Sequence, residues 1–433
     1  MTNYDVIEAY VEDFTNWNYV KARGVATISQ HKFIITECIL KGLSIVEDIQ
    51  EPYSNLTVRI IGITDNQEVL ITDYVNGQHQ IINTITEDGI YTIEDRHHFV
   101  GFGCNFVGTC NITIEQLPTS ILKDYSGNKH DAYLYGFKGR LNSGVGIYAQ
   151  DFTKWIFGSA IHNISTKAHN KLHIVKKNPN NYFGFTIGIQ KANYYNKPYK
   201  LKFNFNKEID DINFSVVSTD GNLITTQCFS AIINNGSVVD VPIISEEIFN
   251  NQKEPNIYYD FGTNKDIEID VELIPDYPNQ LCYDGKMYAI AYGMPILTDY
   301  TIIADRTWFI DKINSWSYFA DKKKAFVFER TSNGKSFNAM SFAAETAIEL
   351  QKDGVSYQTK ASYNGNAINY HSDQADNDDR LVIGSTKDSL GNQCFIGCHS
   401  DILIFNRTLT GYEISWVKNN MMCSKQQEHD IDL

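Results

Sequence analysis

"YVEDFTNW" (Tyr10–Trp17) and "YAQDFTKW" (Tyr148–Trp155) share the pattern Y-x-x-D-F-T-x-W. Each stretch opens a segment that closes on a similar strand. These strands are "NITIEQLP", which ends at Pro118, and "IEIDVELIP", which ends at Pro275. Ordered matches at both ends predict a duplicated domain, with a longer second copy. Each copy has the length and the strand spacing of a small β-sandwich.

The composition predicts β structure throughout the chain. Tyr (26) and Phe (24) are abundant, and short alternating segments such as "NLTVRIIGI" from Asn55 are bounded by Asn, Asp and Gly. We therefore predict an all-β protein with sandwich repeats at residues 1–118 and 147–276. Trp17 and Trp155 are predicted to pack inside their own sandwiches; the alternative is an aromatic platform for a sugar ring.

Charge and apolar patterning exclude several classes of protein. The 433 residues carry a net charge of -15 with a pI near 5.2, which argues against a nucleic-acid partner. No apolar run reaches the roughly 18 residues of a membrane span, and the N-terminus lacks the pattern of a secretory signal. The 8 Cys form no zinc-binding pattern, so we expect mostly reduced, structural thiols.

Four motifs outside the repeats occur in an order typical of one fold. They are "DYSGN" from Asp124, "CYDGKMY" from Cys282, "YTIIADRTWF" from Tyr300 and "DILIFNRTLTGYEI" from Asp401. In the last motif, Thr410 and Glu413 form a predicted capping box for a short helix. Ile414, Val417 and Met421 are predicted to line one face of that helix.

These motifs resemble the concanavalin A-like, or laminin G-like, jelly roll. The resemblance implies that residues 119–146 and 277–425 form one jelly roll, with the second sandwich inserted into it and a tail at 426–433. Insertion is tolerated where chain ends emerge close together in a surface loop. "DGKMY" departs from the family's usual "DGxDDY", so a calcium role for this hairpin is not implied.

The leading sandwich together with "DYSGN" and the "YDG…PILTDY" stretch also resembles proteins of tailed phages that infect gut Bacteroidetes, the crAss-like phages. In those phages such chains are virion components. The resemblance implies a fibre or decoration subunit mounted on a head or tail, with other virion proteins as partners. It also implies self-association into a homo-oligomer.

An enzymatic alternative rests on "EIDVE". Its strand period places Glu268, Asp270 and Glu272 on one face, as in concanavalin-like glucanases. The motif lies in the inserted sandwich, however, and the matching strand of the first copy lacks it. Ile267, Ile269 and Val271 alternate with the acids, which is typical of an ordinary half-exposed strand.

Ligand and metal candidates lie in the jelly roll. The candidates for sugar contact are its aromatic residues Trp308, Trp316, Tyr318, Tyr363 and Tyr370. The acidic stretch "HSDQADNDDR" offers weak calcium candidates in Asp373, Asp376 and Asp378; a solvated loop is the alternative. No cofactor is expected, because no phosphate-binding or dinucleotide motif occurs.

The sequence thus predicts a non-enzymatic phage structural protein that presents a lectin-like domain to a glycan or protein. The alternatives are a glycan-degrading enzyme that uses Glu268, Asp270 and Glu272, and a host carbohydrate-binding protein. A virion location follows from the phage resemblance alone.

Overall fold

A computed structural model describes much of the chain, and almost all of the described secondary structure is β-strand. The described residues are 10–48, 55–94, 100–137, 150–156, 162–168, 170–176, 185–194, 196–207, 211–219, 225–250, 256–263, 265–274, 277, 280–309, 317–322, 325–330, 353–367, 376, 378–386 and 390–422. The chain divides into two compact units. One unit is Glu8–Tyr135, and the second contains Gly136–Leu433.

The first unit is a two-sheet sandwich. Its strands are β1 (Asn18–Tyr19), β2 (Gly24–Ser29), β3 (Lys32–Cys38), β4 (Ser44–Glu47), β5 (Leu56–Ile61), β6 (Val69–Val75), β7 (Gln78–Ile85), β8 (Gly89–Ile93), β9 (Val100–Cys104) and β10 (Gly108–Gln116). Two short strands, β11 (Ile121–Leu122) and β12 (Ala132–Tyr135), follow the sandwich in the chain and pair with each other. One sheet runs β1-β4-β9-β6-β7 and the other runs β2-β3-β10-β5-β8. Alternating apolar residues of both sheets, including Phe33 and Phe102, form the core between them.

The second unit contains a sandwich of the same kind. Its elements are β13 (His162–Lys167), β14 (Lys171–Lys176), β15 (Phe185–Gln190), β16 (Tyr199–Phe205), β17 (Ile212–Thr219), β18 (Thr225–Ile233), β19 (Val238–Val241), a short helix α1 (Glu246–Asn250), β20 (Asn256–Gly262) and β21 (Ile267–Ile274). The sheets run β13-β14-β21-β16-β19 and β15-β20-β17-β18.

The two sandwiches share one topology, which confirms the predicted duplication. The order β2-β3-β10-β5-β8 corresponds strand for strand to β13-β14-β21-β16-β19, and β4-β9-β6-β7 corresponds to β15-β20-β17-β18. A bulge also recurs: Ile82 is the extra residue of β7, and Cys228 is the extra residue of β18.

The D-F-T-x-W motif is the start of each sandwich and has the same geometry in both. Asp13 accepts a hydrogen bond from the Thr15 backbone N–H at 2.9 Å and caps a short 3-10 helix, Phe14–Asn16. Asp151 does the same at 3.2 Å for Phe152–Lys154. The following residues, Trp17 and Trp155, are buried in the two cores, as the packing interpretation predicts.

A second fold follows the inserted sandwich in the chain. Its elements are β22 (Leu281–Asp284), β23 (Tyr288–Ala291), β24 (Thr301–Trp308), β25 (Ser317–Lys322), β26 (Phe326–Arg330), β27 (Asp353–Thr359), β28 (Ser362–Tyr363), β29 (Asn366–Ala367), β30 (Leu381–Ile383), β31 (Ile396–Phe405) and helix α2 (Gly411–Asn420). Within this unit, one sheet takes the order β23-β30-β25-β26 and the other takes β22-β31-β24-β27-β28-β29.

Aromatic rings fill the space between these two sheets. Phe395 packs edge-on against Trp308, with ring centroids 4.6 Å apart, and against Phe319 at 5.2 Å. Phe137, which precedes the inserted sandwich, packs against Tyr283, which follows it, at 5.4 Å. The sandwich is therefore inserted into a jelly-roll-like domain, as the sequence predicts.

Helix α2 covers the outer face of one sheet. Ile414 and Val417 pack against Ile303 of β24, together with Leu409 and Met422. The sequence prediction is wrong for Met421, because the helix ends at Asn420 and Met421 is 42% exposed. Met422 closes the apolar cluster in its place.

The first sandwich contains a disulfide between Cys38 of β3 and Cys104 of β9, which joins its two sheets. The expectation of reduced cysteines is wrong for this pair. Among the other described cysteines, Cys110, Cys228, Cys282, Cys394 and Cys398 form no disulfide, and Cys423 lies outside the described residues.

Candidate functional site

Three aromatic residues that the sequence predicts as ligand contacts lie in the core. Trp308 and Tyr363 are each 1% exposed, and Tyr318 is 6% exposed. Trp308 points inward because alternate residues of β24 face the other sheet. Tyr363 accepts a hydrogen bond from Nη2 of the buried Arg306 at 3.0 Å. These three rings therefore form no surface for a sugar; Trp316 and Tyr370 lie outside the described residues.

Two of the weak calcium candidates are held by basic side chains. Lys322 Nζ lies 2.5 Å from Asp376 Oδ2, and both side chains are fully buried. The same ammonium group donates to the backbone carbonyl of Asp378, and the Asp378 carboxylate accepts from Arg380 at 3.1 and 3.2 Å.

Lys322 and Arg380 thus supply the positive charges beside Asp376 and Asp378, the two weak calcium candidates that the structure describes. Asp373 lies outside the described residues. In the part of the chain that the structure describes, no three His, Cys, Asp or Glu side chains are grouped as metal ligands.

The acidic strand β21 has the alternation that the sequence predicts, and Asp270 and Glu268 have basic partners. Asp270 Oδ1 lies 2.8 Å from His173 Nδ1, and Asp270 Oδ2 lies 3.4 Å from Lys171 Nζ. Glu268 lies 3.4 Å from Lys207 Nζ. Partial burial raises the pKa of Asp270, but the His173 hydrogen bond and the Lys171 charge outweigh it and lower the pKa overall. This environment stabilises the charged form of the Asp270 carboxylate.

A different group of residues, on helix α2 and the strand before it, forms a surface pocket. We call it the α2 pocket; its cavity volume is about 360 Å³. The pocket is lined by Phe405, Arg407, Leu409, Tyr412, Glu413, Trp416, Val417 and Met421. The pocket is an open surface groove rather than an enclosed cavity.

Local sequence explains why the pocket has this shape. The Thr410 side chain accepts from the Glu413 backbone, and the Glu413 carboxylate accepts from the Thr410 backbone at 2.8 Å, which completes the predicted capping box. Buried Ile414 and Val417 fix which face of α2 contacts the sheet. Tyr412 and Trp416, one helical turn apart, are thereby directed to the outer side.

The outer side of the helix carries two exposed aromatic rings. Tyr412 is 80% exposed and Trp416 is 51% exposed. Beside them, Arg407 Nη2 donates to Glu413 Oε1 at 2.7 Å. This contact with Arg407, together with the hydrogen bonds from Thr410, lowers the pKa of Glu413 to about 2. The α2 pocket therefore combines two aromatic faces with one fixed cation and one fixed anion.

The sequence prediction did not include Tyr412 and Trp416, although a signal for them was present. Once Ile414 and Val417 are assigned to the buried face of a helix, residues 412 and 416 must lie on another face. The sequence therefore places these two aromatic side chains away from the domain's own core.

Comparison with protein-family profiles gives no match, and comparison with curated proteins gives none either. Among solved structures, the N-terminal CBM22-1–CBM22-2 tandem domain of Paenibacillus barcinonensis Xyn10C is 8% identical with a TM-score of 0.22, over 64% of this chain and 99% of that one. Trypanosoma rangeli sialidase is 10% identical with a TM-score of 0.25, over 92% of this chain and 84% of that one. Similarity at this level assigns neither a family nor an activity.

No described helix is both long enough and apolar enough to span a bilayer.

Proposed function

We propose that the chain is a non-enzymatic carbohydrate-binding protein and that the α2 pocket holds the sugar. The observation that supports this most is the pair of exposed rings, Tyr412 and Trp416, beside the Arg407–Glu413 ion pair. Exposed aromatic clusters rimmed by polar groups mark binding sites on soluble domains.

The chemistry of the pocket matches a sugar ring better than a purely apolar ligand. A pyranose has an apolar C–H face that packs on an aromatic ring, and hydroxyl groups at its edge. Arg407 offers only hydrogen-bond donors and Glu413 offers only acceptors, whereas a sugar hydroxyl both donates and accepts. The apolar face of one sugar ring can therefore pack on an aromatic side chain while two neighbouring hydroxyls of the same sugar bond to Arg407 and Glu413.

The proposal that the chain is not an enzyme is supported by strand β21. Asp270 is paired with His173 and Lys171 and has a lowered pKa, and Glu268 is paired with Lys207. A retaining or inverting glycosidase needs one protonated carboxyl group at working pH. We propose that this charged face is a solvated sheet surface.

The finer proposal is a virion role, and the sequence resemblance to phage proteins supports it. In this proposal the sandwich repeats connect the sugar-binding domain to other virion proteins, and several copies associate. Mass spectrometry of purified virions tests the location, and light scattering of the purified chain tests self-association. Absence of the chain from virions would leave a host carbohydrate-binding protein.

The binding proposal is tested on a glycan array with the full chain and with Trp416→Ala. The matched control is Tyr125→Ala, because Tyr125 is also an exposed aromatic residue (88%) but does not line the α2 pocket. We expect the array signal to fall for Trp416→Ala and to persist for Tyr125→Ala. Equal binding by all three proteins would contradict the assignment of the site.

A further inference from the structure

We infer that the α2 pocket selects neutral sugars and discriminates against acidic ones, an inference that rests on the proposed carbohydrate-binding function. The structural basis is that the cation of the pocket, Arg407, is already neutralised by an anion of the same pocket, Glu413. The selection concerns the charge of the ligand, and the rings of Tyr412 and Trp416 contribute affinity for either class.

An acidic sugar would have to compete with Glu413 for Arg407. The Arg407 Nη2 to Glu413 Oε1 contact is 2.7 Å, a length typical of a charge-assisted hydrogen bond. Glu413 cannot turn away without a cost, because it also accepts from the backbone N–H and the hydroxyl of Thr410 at 2.8 and 3.0 Å. The capping box therefore holds the anion in the pocket.

Other nearby charges do not reverse this balance. Lys418, on the same helix, places its Nζ 4.9 Å from the centre of the Tyr357 ring, on the β27 side of the helix. Asp299 accepts from the backbone N–H and the hydroxyl of Thr408 at 2.9 and 2.6 Å, next to Arg407 in the chain. Asp299 adds negative charge near the pocket, and the chain as a whole carries -15.

A neutral sugar needs no exchange of ionic partners. Its hydroxyls can donate to Glu413 and accept from Arg407 while the ion pair stays closed, since each charged group has further hydrogen-bonding capacity. Binding of a neutral ligand therefore depends little on salt, whereas any binding that relies on an exposed cation weakens as salt screens the charge.

The test uses pairs of ligands that differ only at C6, namely methyl glycosides of neutral hexoses and of the matching hexuronic acids. Affinities are measured by NMR titration of the wild-type chain at about 50 mM and about 500 mM NaCl, which spans a large change in Debye length. We expect the hexose to bind about 2- to 5-fold more tightly than its uronic acid, as suits an exposed ion pair, and its affinity to change less than about 2-fold with salt.

Glu413→Gln separates the charge of residue 413 from its structural role. Gln also completes a capping box at this position, so the helix is retained while Arg407 loses its anion. We expect the preference for the neutral ligand to be lost in this variant, a change of about 2- to 5-fold, with salt-sensitive binding of the uronic acid.

The outcomes distinguish the two proposals. Tighter, salt-sensitive binding of uronic acids by the wild type would overturn the selectivity inference and leave the sugar-binding function standing. An unchanged preference in Glu413→Gln, in protein with wild-type circular dichroism, would also overturn it. Failure of every hexose and uronic acid to bind the wild type would refute the sugar-binding function itself.

Discussion

Substitution of Lys322 by Met tests the interior of the jelly roll, because it removes the positive charge that the structure places beside Asp376. Both side chains are fully buried and lie 2.5 Å apart. After the substitution, the Asp376 carboxylate keeps the backbone donors of Leu297 and Asp378 at 2.9 and 3.1 Å but has lost its counter-charge. Removal of one partner from a buried pair costs about 3–5 kcal/mol.

The assay is thermal unfolding followed by circular dichroism. For a domain of this size, each kcal/mol lowers Tm by about 2–4 °C, so we expect a fall of roughly 6–20 °C for Lys322→Met. The control is Lys360→Met, because Lys360 lies at the surface and donates to the Thr298 carbonyl at 2.8 Å. The control is expected to change stability by less than about 1 kcal/mol.

A double variant, Lys322→Met with Asp376→Asn, leaves neither charge buried and is expected to regain much of the lost stability. The wild-type Tm should also be insensitive to calcium and to EDTA, since the ammonium group supplies the local positive charge. The reasoning is refuted if Lys322→Met melts within about 2 °C of wild type, or if the double variant is no more stable than the single one.

Three further outcomes follow from named residues. Burial lowers the pKa of His399 to about 4 in the folded chain. Between pH 6.5 and 4 the unfolded chain therefore binds more protons than the folded chain, so the free energy of unfolding falls as the pH falls through that window. His399→Gln should remove about 3 kcal/mol of that pH dependence in urea titrations, and an unchanged slope would contradict this. Cys38→Ser should destabilise the first sandwich by up to about 4 kcal/mol, because the disulfide joins residues that are 66 positions apart in the chain. Cys110→Ser, the control, should not destabilise it. Equal melting temperatures for the two variants would argue against the disulfide. Glu268→Gln should leave sugar binding unchanged. If the wild-type chain depolymerises a capsular glycan and Glu268→Gln abolishes that activity, the glucanase alternative would be favoured.

The duplicated sandwich and the inserted jelly roll were predictable because their signals are local. Asp13 and Asp151 cap the same short turn, so the motif is fixed by hydrogen bonds within a few residues. The capping box of α2 is equally local. Burial patterns with period two, as in β21, were also readable from the sequence.

The candidate site was predicted poorly because the exposure of its residues depends on how the sheets and helix α2 pack against one another. Trp308 and Tyr363 are residue types that often contact sugars, but their side chains face the opposite sheet and are buried. Their polar neighbour Arg306 is also buried, and no periodicity in the sequence indicates a charged interior. Trp416 belongs to a helix that the sequence did predict, but its exposure had to be inferred from the helical positions of Ile414 and Val417, and the sequence prediction did not take that step.

Sugar binding by Trp416→Ala, measured by calorimetry against a glycan that binds the wild type, tests the central claim most directly. Trp416 is 51% exposed, so one ring face offers about 60 Å² to a ligand, worth about 1.5 kcal/mol. The account predicts that Trp416→Ala weakens binding about 10-fold while Tm stays unchanged. Wild-type affinity in Trp416→Ala, or no affinity of the wild-type chain for any glycan, would contradict it.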